Sequence, residues 1–213
     1  MNKEYLRNFI NDECIWRTND PNKRIPGKQV GTSYTWQFYL RRATCDSICS
    51  HIIAKLFWEE FENQDVFQIG ACEAAGVQIA CSIQSYARFV LKRDVPIFTI
   101  KKEPKSYGLR NLTEGIIHNE LPIVLVDDLA GSQETLLKSY NVLTQSGFRM
   151  YNKYFTVVDK SGTDVIPHRV YLDDLQLVSL FNCDDFDLSV NDYVDSTNKQ
   201  PKWTGRIIKI KEQ

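Results

Sequence analysis

A chain of 213 residues, 43% of them apolar and 12% aromatic, is long enough to bury a substantial core, and a single elaborated domain is expected over residues 1–213. Its 26 basic and 27 acidic residues leave a formal charge of -1, which argues against a bulk nucleic-acid or membrane-surface binder, so any anion site has to be local. The opening MNKEYLRNFINDE has no basic patch followed by an apolar run, and no stretch nears the roughly 18 apolar residues of a membrane span, so a cytoplasmic protein is expected.

Residues 1–43 read as an aromatic-rich, irregular N-terminal segment, with IPGKQVGTS as turn material ahead of a strand over YTWQFYLRR. Asp46 is placed to cap a helix over about 47–62, whose Ile48, Ile52, Ile53, Leu56 and Phe57 recur at three- and four-residue intervals. A strand at VFQIG, a helix over about 74–92, the strand VPIFTI, a basic loop, the strand PIVLV, a helix over about 134–146 and the strand KYFTVV follow in turn. Strands alternating with helices of this length imply right-handed crossovers, hence an α/β fold with a mainly parallel central sheet over about 44–170. The C-terminal elaboration, 171–213, reads as a helix over about 172–181, an acidic loop and a final extended GRIIKIK.

The six cysteines are scattered and are expected to be reduced. Cys45, Cys49 and His51 spell CxxxCxH, but no second ligand pair at a zinc spacing accompanies them, and the two cysteines fit one buried helical face.

In parallel sheets ligands bind beyond the carboxyl ends of the strands. Three loops should therefore share one crevice: GACEAAG, KKEPKSYG and DDLAGSQET. The segment KKEPKSYGLR gathers Lys101, Lys102, Lys105 and Arg110 against Glu103, a net +3 from four cations and one carboxylate. In PIVLVDDLAGSQETLLK an apolar strand stops at Asp127 and Asp128, and a turn of small residues then opens a helix. The pair can simply end a strand and cap a turn. Alternatively, its carboxylates accept hydrogen bonds from sugar hydroxyls while the amides of the helix start donate to a phosphate, which together describe a ribose 5-phosphate.

IVLVDDLAGSQET resembles the phosphoribosyl pyrophosphate signature of the type I phosphoribosyltransferases. The order IGACEAAGVQIA, IKKEPKSYG, VLVDD is most similar to the orotate phosphoribosyltransferase branch, with FYLRRA a weaker likeness to an N-terminal stretch of that branch. The resemblance covers roughly residues 66–160. It implies the type I fold, with a divergent hood formed by the N-terminal segment and the C-terminal tail. It also implies magnesium-dependent transfer of ribose 5-phosphate from phosphoribosyl pyrophosphate to a nucleobase, with orotate the leading acceptor, in a homodimer. By the motif match, Asp127 and Asp128 hold the ribose, and Ala130, Gly131 and Ser132, with Gln133 and Thr135, hold the 5-phosphate. Lys101, Lys102 and Lys105, with Ala75 in the first loop, lie on the pyrophosphate side, and Lys102, Lys105 and Asp128 are the catalytic candidates. Magnesium is expected to arrive mainly through the pyrophosphate.

The chain departs from this pattern at several points. Gln133 and Glu134 stand where the phosphate loop usually has Gly or Thr, Tyr107 replaces a His, and Ala75 replaces a Lys. No Arg-bearing segment to read an orotate carboxylate is evident after FTVVDK, with Arg169 a possible stand-in. Another acceptor base, or a non-catalytic protein that binds a phosphoribosyl ligand, is the alternative these departures leave open.

Overall fold

The computed structural model describes residues 2–26, 33–62, 66–101, 112–160 and 175–188. The N-terminal segment is more regular than its composition suggests. Helix α1 (Lys3–Phe9) starts where the Asn2 side chain accepts a hydrogen bond from the Tyr5 amide, and it runs through a π turn, Ile10–Cys14, into β1 (Ile15–Arg17). The short strands β2 (Ile25–Pro26) and β3 (Ser33–Tyr34) pair with each other, and β4 (Trp36–Phe38) pairs antiparallel with β1. The expected strand over YTWQFYLRR is thus cut short. From Arg41 the chain coils into α2 (Arg41–Thr44), because Leu40 and Ala43, three apart, bury together and Thr44 reaches Gln78 through its hydroxyl at 2.7 Å.

Helix α3 (Ser47–Phe61) begins as anticipated. One Asp46 carboxylate oxygen accepts from the Ile48 amide at 3.0 Å and the Cys49 amide at 2.9 Å, satisfying two of the helix's unpaired donors. Its inner face carries Ile52, Ile53, Phe57 and Phe61, and Phe57 stacks on Phe61 at 4.4 Å and meets Phe155 edge-on at 5.1 Å. Loss of the Phe57 ring would cost about 3–5 kcal/mol.

The rest of the chain alternates. It comprises β5 (Gln68–Cys72), α4 (Ala75–Tyr86) with a terminal π turn, Ala87–Leu91, then β6 (Ile97–Ile100), β7 (Thr113–Glu114), β8 (Ile123–Ala130), α5 (Glu134–Gln145), β9 (Lys153–Asp159) and β10 (Gln176–Asn182). The six-stranded sheet has the order β10-β9-β8-β5-β6-β7, parallel except for the edge strand β7. The expected tail helix over about 172–181 is corrected: its described part is β10, parallel to β9 from Gln176 to Asn182. A short apolar run such as QLVSLF fits either period, and the open edge of β9 supplies backbone partners that a helix would not need.

Both faces of the sheet are covered, so β8 is a continuous apolar run until its last residues. Val124 and Val126 join the core beneath α3 and α4, while Ile123 and Leu125 join Leu136 and Leu143 of α5 on the opposite face. Gly76 lets α4 approach β8 closely, since a Cβ there would lie 2.5 Å from the Val126 carbonyl oxygen. Among the described residues no helix is long and apolar enough to cross a membrane.

Candidate functional site

The carboxyl ends of β5, β6, β8 and β9 open onto one crevice. The turn after β5 is anchored by the Glu73 amide, which donates to the Ile100 carbonyl at the end of β6. Ala75 is buried at the start of α4, and the close contact at Gly76 sets this turn beside β8 just before its acid pair.

Strand β8 runs through Asp127 and Asp128 to Ala130, with Asp127 in register with Thr156 of β9. The Asp128 amide donates to the Asp127 carboxylate at 2.9 Å. Burial pushes the Asp128 carboxyl above the ordinary carboxylate range, and a hydrogen bond with Asp127 and the charge of Arg41 on α2 oppose this in part. The N-terminal segment thus supplies a cation to the acid pair. Sequence reasoning noticed FYLRRA without giving Arg41 a role.

Beside the pair lies a cavity of about 210 Å³, lined by Asp127, the turn from Ala130 to Thr135, Tyr154 and Thr156. That is room for about seven waters at their liquid volume, enough for a phosphate or part of a sugar. Gly131 has open space around it. Gln133, buried at the N-cap of α5, adopts a left-handed backbone (φ 62°), a conformation that costs a non-glycine residue roughly 1–2 kcal/mol. Its side chain does not cap the helix, so the first-turn amides of α5 are not closed off by it. Glu134 is exposed at the first helical position, on the rim of the cavity. Ser139 holds the first turn in shape, donating to the Thr135 carbonyl at 2.9 Å and touching the buried Cys72 sulfur at 3.6 Å.

Lys101, assigned from the sequence to pyrophosphate, has its ammonium paired with Glu114 of β7 at 2.5 Å and is 7% exposed at the side chain. In this arrangement its charge closes the start of the basic loop onto the neighbouring strand. Lys102, Lys105 and Tyr107, like Arg169, lie outside the described residues. Where no Arg is evident after FTVVDK, the described chain leaves β9 on Lys160. Its amide donates to the Ala130 carbonyl at 2.8 Å, and its ammonium lies 4.8 Å from the ring centres of both Tyr34 and Trp36. The signal was in the sequence: Lys160 follows a core strand directly, as the crevice residues do.

The expected shared buried face is corrected: Cys45 ends α2 and is exposed, His51 is exposed on α3, and Cys49 alone of the CxxxCxH string is buried, because the chain breaks at Asp46 between two helices. Cys49 is buried and its thiol is pushed up to about 12, by burial first and Asp46 next. No group of three or more His, Cys, Asp or Glu among the described residues converges as metal ligands.

No family model matches the chain. It is 24% identical over 130 residues to the orotate phosphoribosyltransferase of Methanocaldococcus jannaschii, covering 61% of this chain and 69% of that protein. It is 25% identical over 150 residues to the one from Methanothermobacter thermautotrophicus, covering 70% and 77%. A shorter match, 32% over 99 residues and 46% of each chain, is to the Tropheryma whipplei enzyme of the same name. Among solved structures, Mycobacterium tuberculosis orotate phosphoribosyltransferase bound to Fe(III) dicitrate superposes with a TM-score of 0.66 at 20% identity, over 87% of this chain and 99% of that one. The same enzyme with 5-phospho-α-D-ribosyl 1-diphosphate gives 0.61 at 18% identity, over 86% and 90%. The adenine phosphoribosyltransferase of Thermoanaerobacter pseudethanolicus has a TM-score of 0.56 at 17% identity, over 85% and 99%, so the fold is shared beyond one branch. The chain has the type I phosphoribosyltransferase fold and is a divergent relative of the orotate phosphoribosyltransferases.

Proposed function

We propose that this protein transfers ribose 5-phosphate from phosphoribosyl pyrophosphate to a ring nitrogen of a nucleobase, orotate foremost, in pyrimidine nucleotide synthesis. The observation that carries the proposal is the acid pair at the end of β8, set directly beside the cavity at the start of α5. Two carboxylates suit the ribose hydroxyls, and the α5 amides suit the 5-phosphate. The bond from the sugar's C1 to the pyrophosphate oxygen breaks with its electron pair leaving on pyrophosphate, and the ring-nitrogen lone pair forms the new C1–N bond. Lys102 and Lys105 are the cations assigned to the departing charge, whose neutralisation lowers the barrier. Magnesium carried on the pyrophosphate would add to that neutralisation. Lys160, whose ammonium lies against the Tyr34 and Trp36 rings of the N-terminal segment, is assigned to the acceptor's negative charge. Two copies are expected to associate, in the cytoplasm.

A second reading has its own support. Glu134 places a carboxylate at the rim of the phosphate cavity and Gln133 occupies a strained turn position, a combination that suits a protein retaining the ligand without turning it over. Incubation with phosphoribosyl pyrophosphate, magnesium and a panel of bases separates the two. Pyrophosphate release dependent on one base supports the enzyme and names its acceptor, whereas saturable ligand binding without release under any base supports the sensor.

A further inference from the structure

The pyrophosphate side of the crevice rests on a very short strand pairing. Strand β7 is two residues long, Thr113 and Glu114, paired antiparallel with Ile100 and Thr99 of β6. The Lys101 amide adds one backbone bond, donating to the Leu112 carbonyl at 2.8 Å where the basic loop leaves and rejoins the sheet. The first loop hangs on the same strand, through the Glu73 amide on the Ile100 carbonyl at 2.9 Å. Two of the three crevice loops thus take their bases from one small pairing at the edge of the sheet.

Across this pairing the Lys101 ammonium meets the Glu114 carboxylate at 2.5 Å. The two partners are unequally placed, with the Lys101 side chain 7% exposed and that of Glu114 53% exposed. The ammonium has therefore given up most of its water and draws on the carboxylate in exchange, while the carboxylate keeps much of its own hydration. We infer that Glu114 is a positioning residue for the transfer proposed above, and that Lys101, assigned from the sequence to pyrophosphate, is instead the anchor through which Glu114 acts. To reach a pyrophosphate, Lys101 would have to leave an enclosed site and break a close charged contact. The departing charge then falls to Lys102 and Lys105, and the Lys101–Glu114 pair fixes where the segment that bears them begins. The inference rests on the transfer reading for its consequence, whereas the brace itself is a matter of the two side chains alone.

The unequal burial ranks the variants. Lys101→Met keeps the length of the side chain, removes the charge from the enclosed end and leaves a half-exposed carboxylate to water, so turnover should fall by less than about three-fold. Glu114→Gln takes the carboxylate away from an enclosed ammonium, which must move or shed its proton. Turnover should then fall by about ten-fold or more as the loop bases shift. Lys101→Met/Glu114→Gln should recover to the level of Lys101→Met, because the enclosed charge is gone. A second readout needs no catalysis: amide hydrogen exchange at Glu73 and Lys101 should quicken about ten-fold in Glu114→Gln and return close to the wild-type rate in the double variant. If Lys101 binds pyrophosphate itself, Lys101→Met falls furthest and the double variant stays as low. That order, or exchange at Glu73 and Lys101 unmoved in folded Glu114→Gln, would overturn the inference. A wild type that releases no pyrophosphate with any base counts against the transfer reading, and the exchange rates then decide the brace by themselves.

Discussion

Gly76 gives the most direct physical handle on how the fold positions the site. A methyl group there would lie 2.5 Å from the Val126 carbonyl oxygen, and the obstacle is backbone in the middle of a sheet, which cannot swing aside. An ordinary carbon–oxygen contact is about 3.3 Å, so α4 has to retreat by about 0.8 Å or tilt. Overpacking of this kind costs about 1–3 kcal/mol. Replacing glycine by alanine in a helix returns up to about 1 kcal/mol, less near an end, so Gly76→Ala should lose roughly 1–2 kcal/mol and a few degrees of melting temperature. The larger effect is expected on function. The retreat moves the first turn away from Asp127 and Asp128, and a displacement near 1 Å can cost about a hundred-fold in rate. Urea unfolding and pyrophosphate release, measured on one preparation, check both numbers. A variant within about 0.5 kcal/mol of wild type and equally active would refute the reasoning that this contact sets the crevice.

Asp128→Asn removes a carboxyl whose ionised form is disfavoured by burial. A raised folded-state value means that the fold favours the protonated form and that ionised Asp128 costs stability as pH rises through it. The variant should accordingly melt higher than wild type at pH 8, with the difference closing as pH falls through the carboxylate range, while phosphoribosyl pyrophosphate binds more weakly by roughly 1–3 kcal/mol; equal melting temperatures at pH 8 would count against the burial argument. Glu134→Gly should cost a little stability and leave affinity nearly unchanged if the carboxylate faces solvent, whereas tightening by a kcal/mol or more, the scale of a like charge at close range at an effective dielectric of about 20, would favour the sensor reading. Lys105→Ala should lower turnover by about two orders of magnitude with a much smaller change in ligand affinity, and full turnover would remove Lys105 from the pyrophosphate site. Phe57→Ala should destabilise the fold by about 3–5 kcal/mol in urea titration, and a loss below about 1 kcal/mol would contradict its place at the centre of the aromatic cluster.

The α/β core was legible because each of its elements has a signal of its own. Asp46 announces α3, the run IVLV announces a doubly covered strand, and the abrupt acids after it mark the crevice. What escaped depends on partners distant in sequence. The stretch around Val178 is a strand because β9 lies beside it, and nothing within QLVSLF decides that. Arg41 matters because α2 carries it toward Asp128, a residue 87 positions later by subtraction of the two numbers. Lys160 acquires its setting from Tyr34 and Trp36, aromatic residues of a segment that looked irregular when read alone. The left-handed turn at Gln133 is likewise held by tertiary context, since its side chain gives no local reason for it.

The central claim is that the β8 acid pair and the start of α5 hold the ribose 5-phosphate of phosphoribosyl pyrophosphate. Its most direct test is equilibrium titration of that ligand with magnesium into the wild type and into Asp127→Asn/Asp128→Asn. The account predicts saturable binding to the wild type and a loss of roughly ten-fold or more in the double variant, with the variant's cooperative unfolding transition intact. Equal affinity in the folded double variant, or no binding to the wild type, would contradict it.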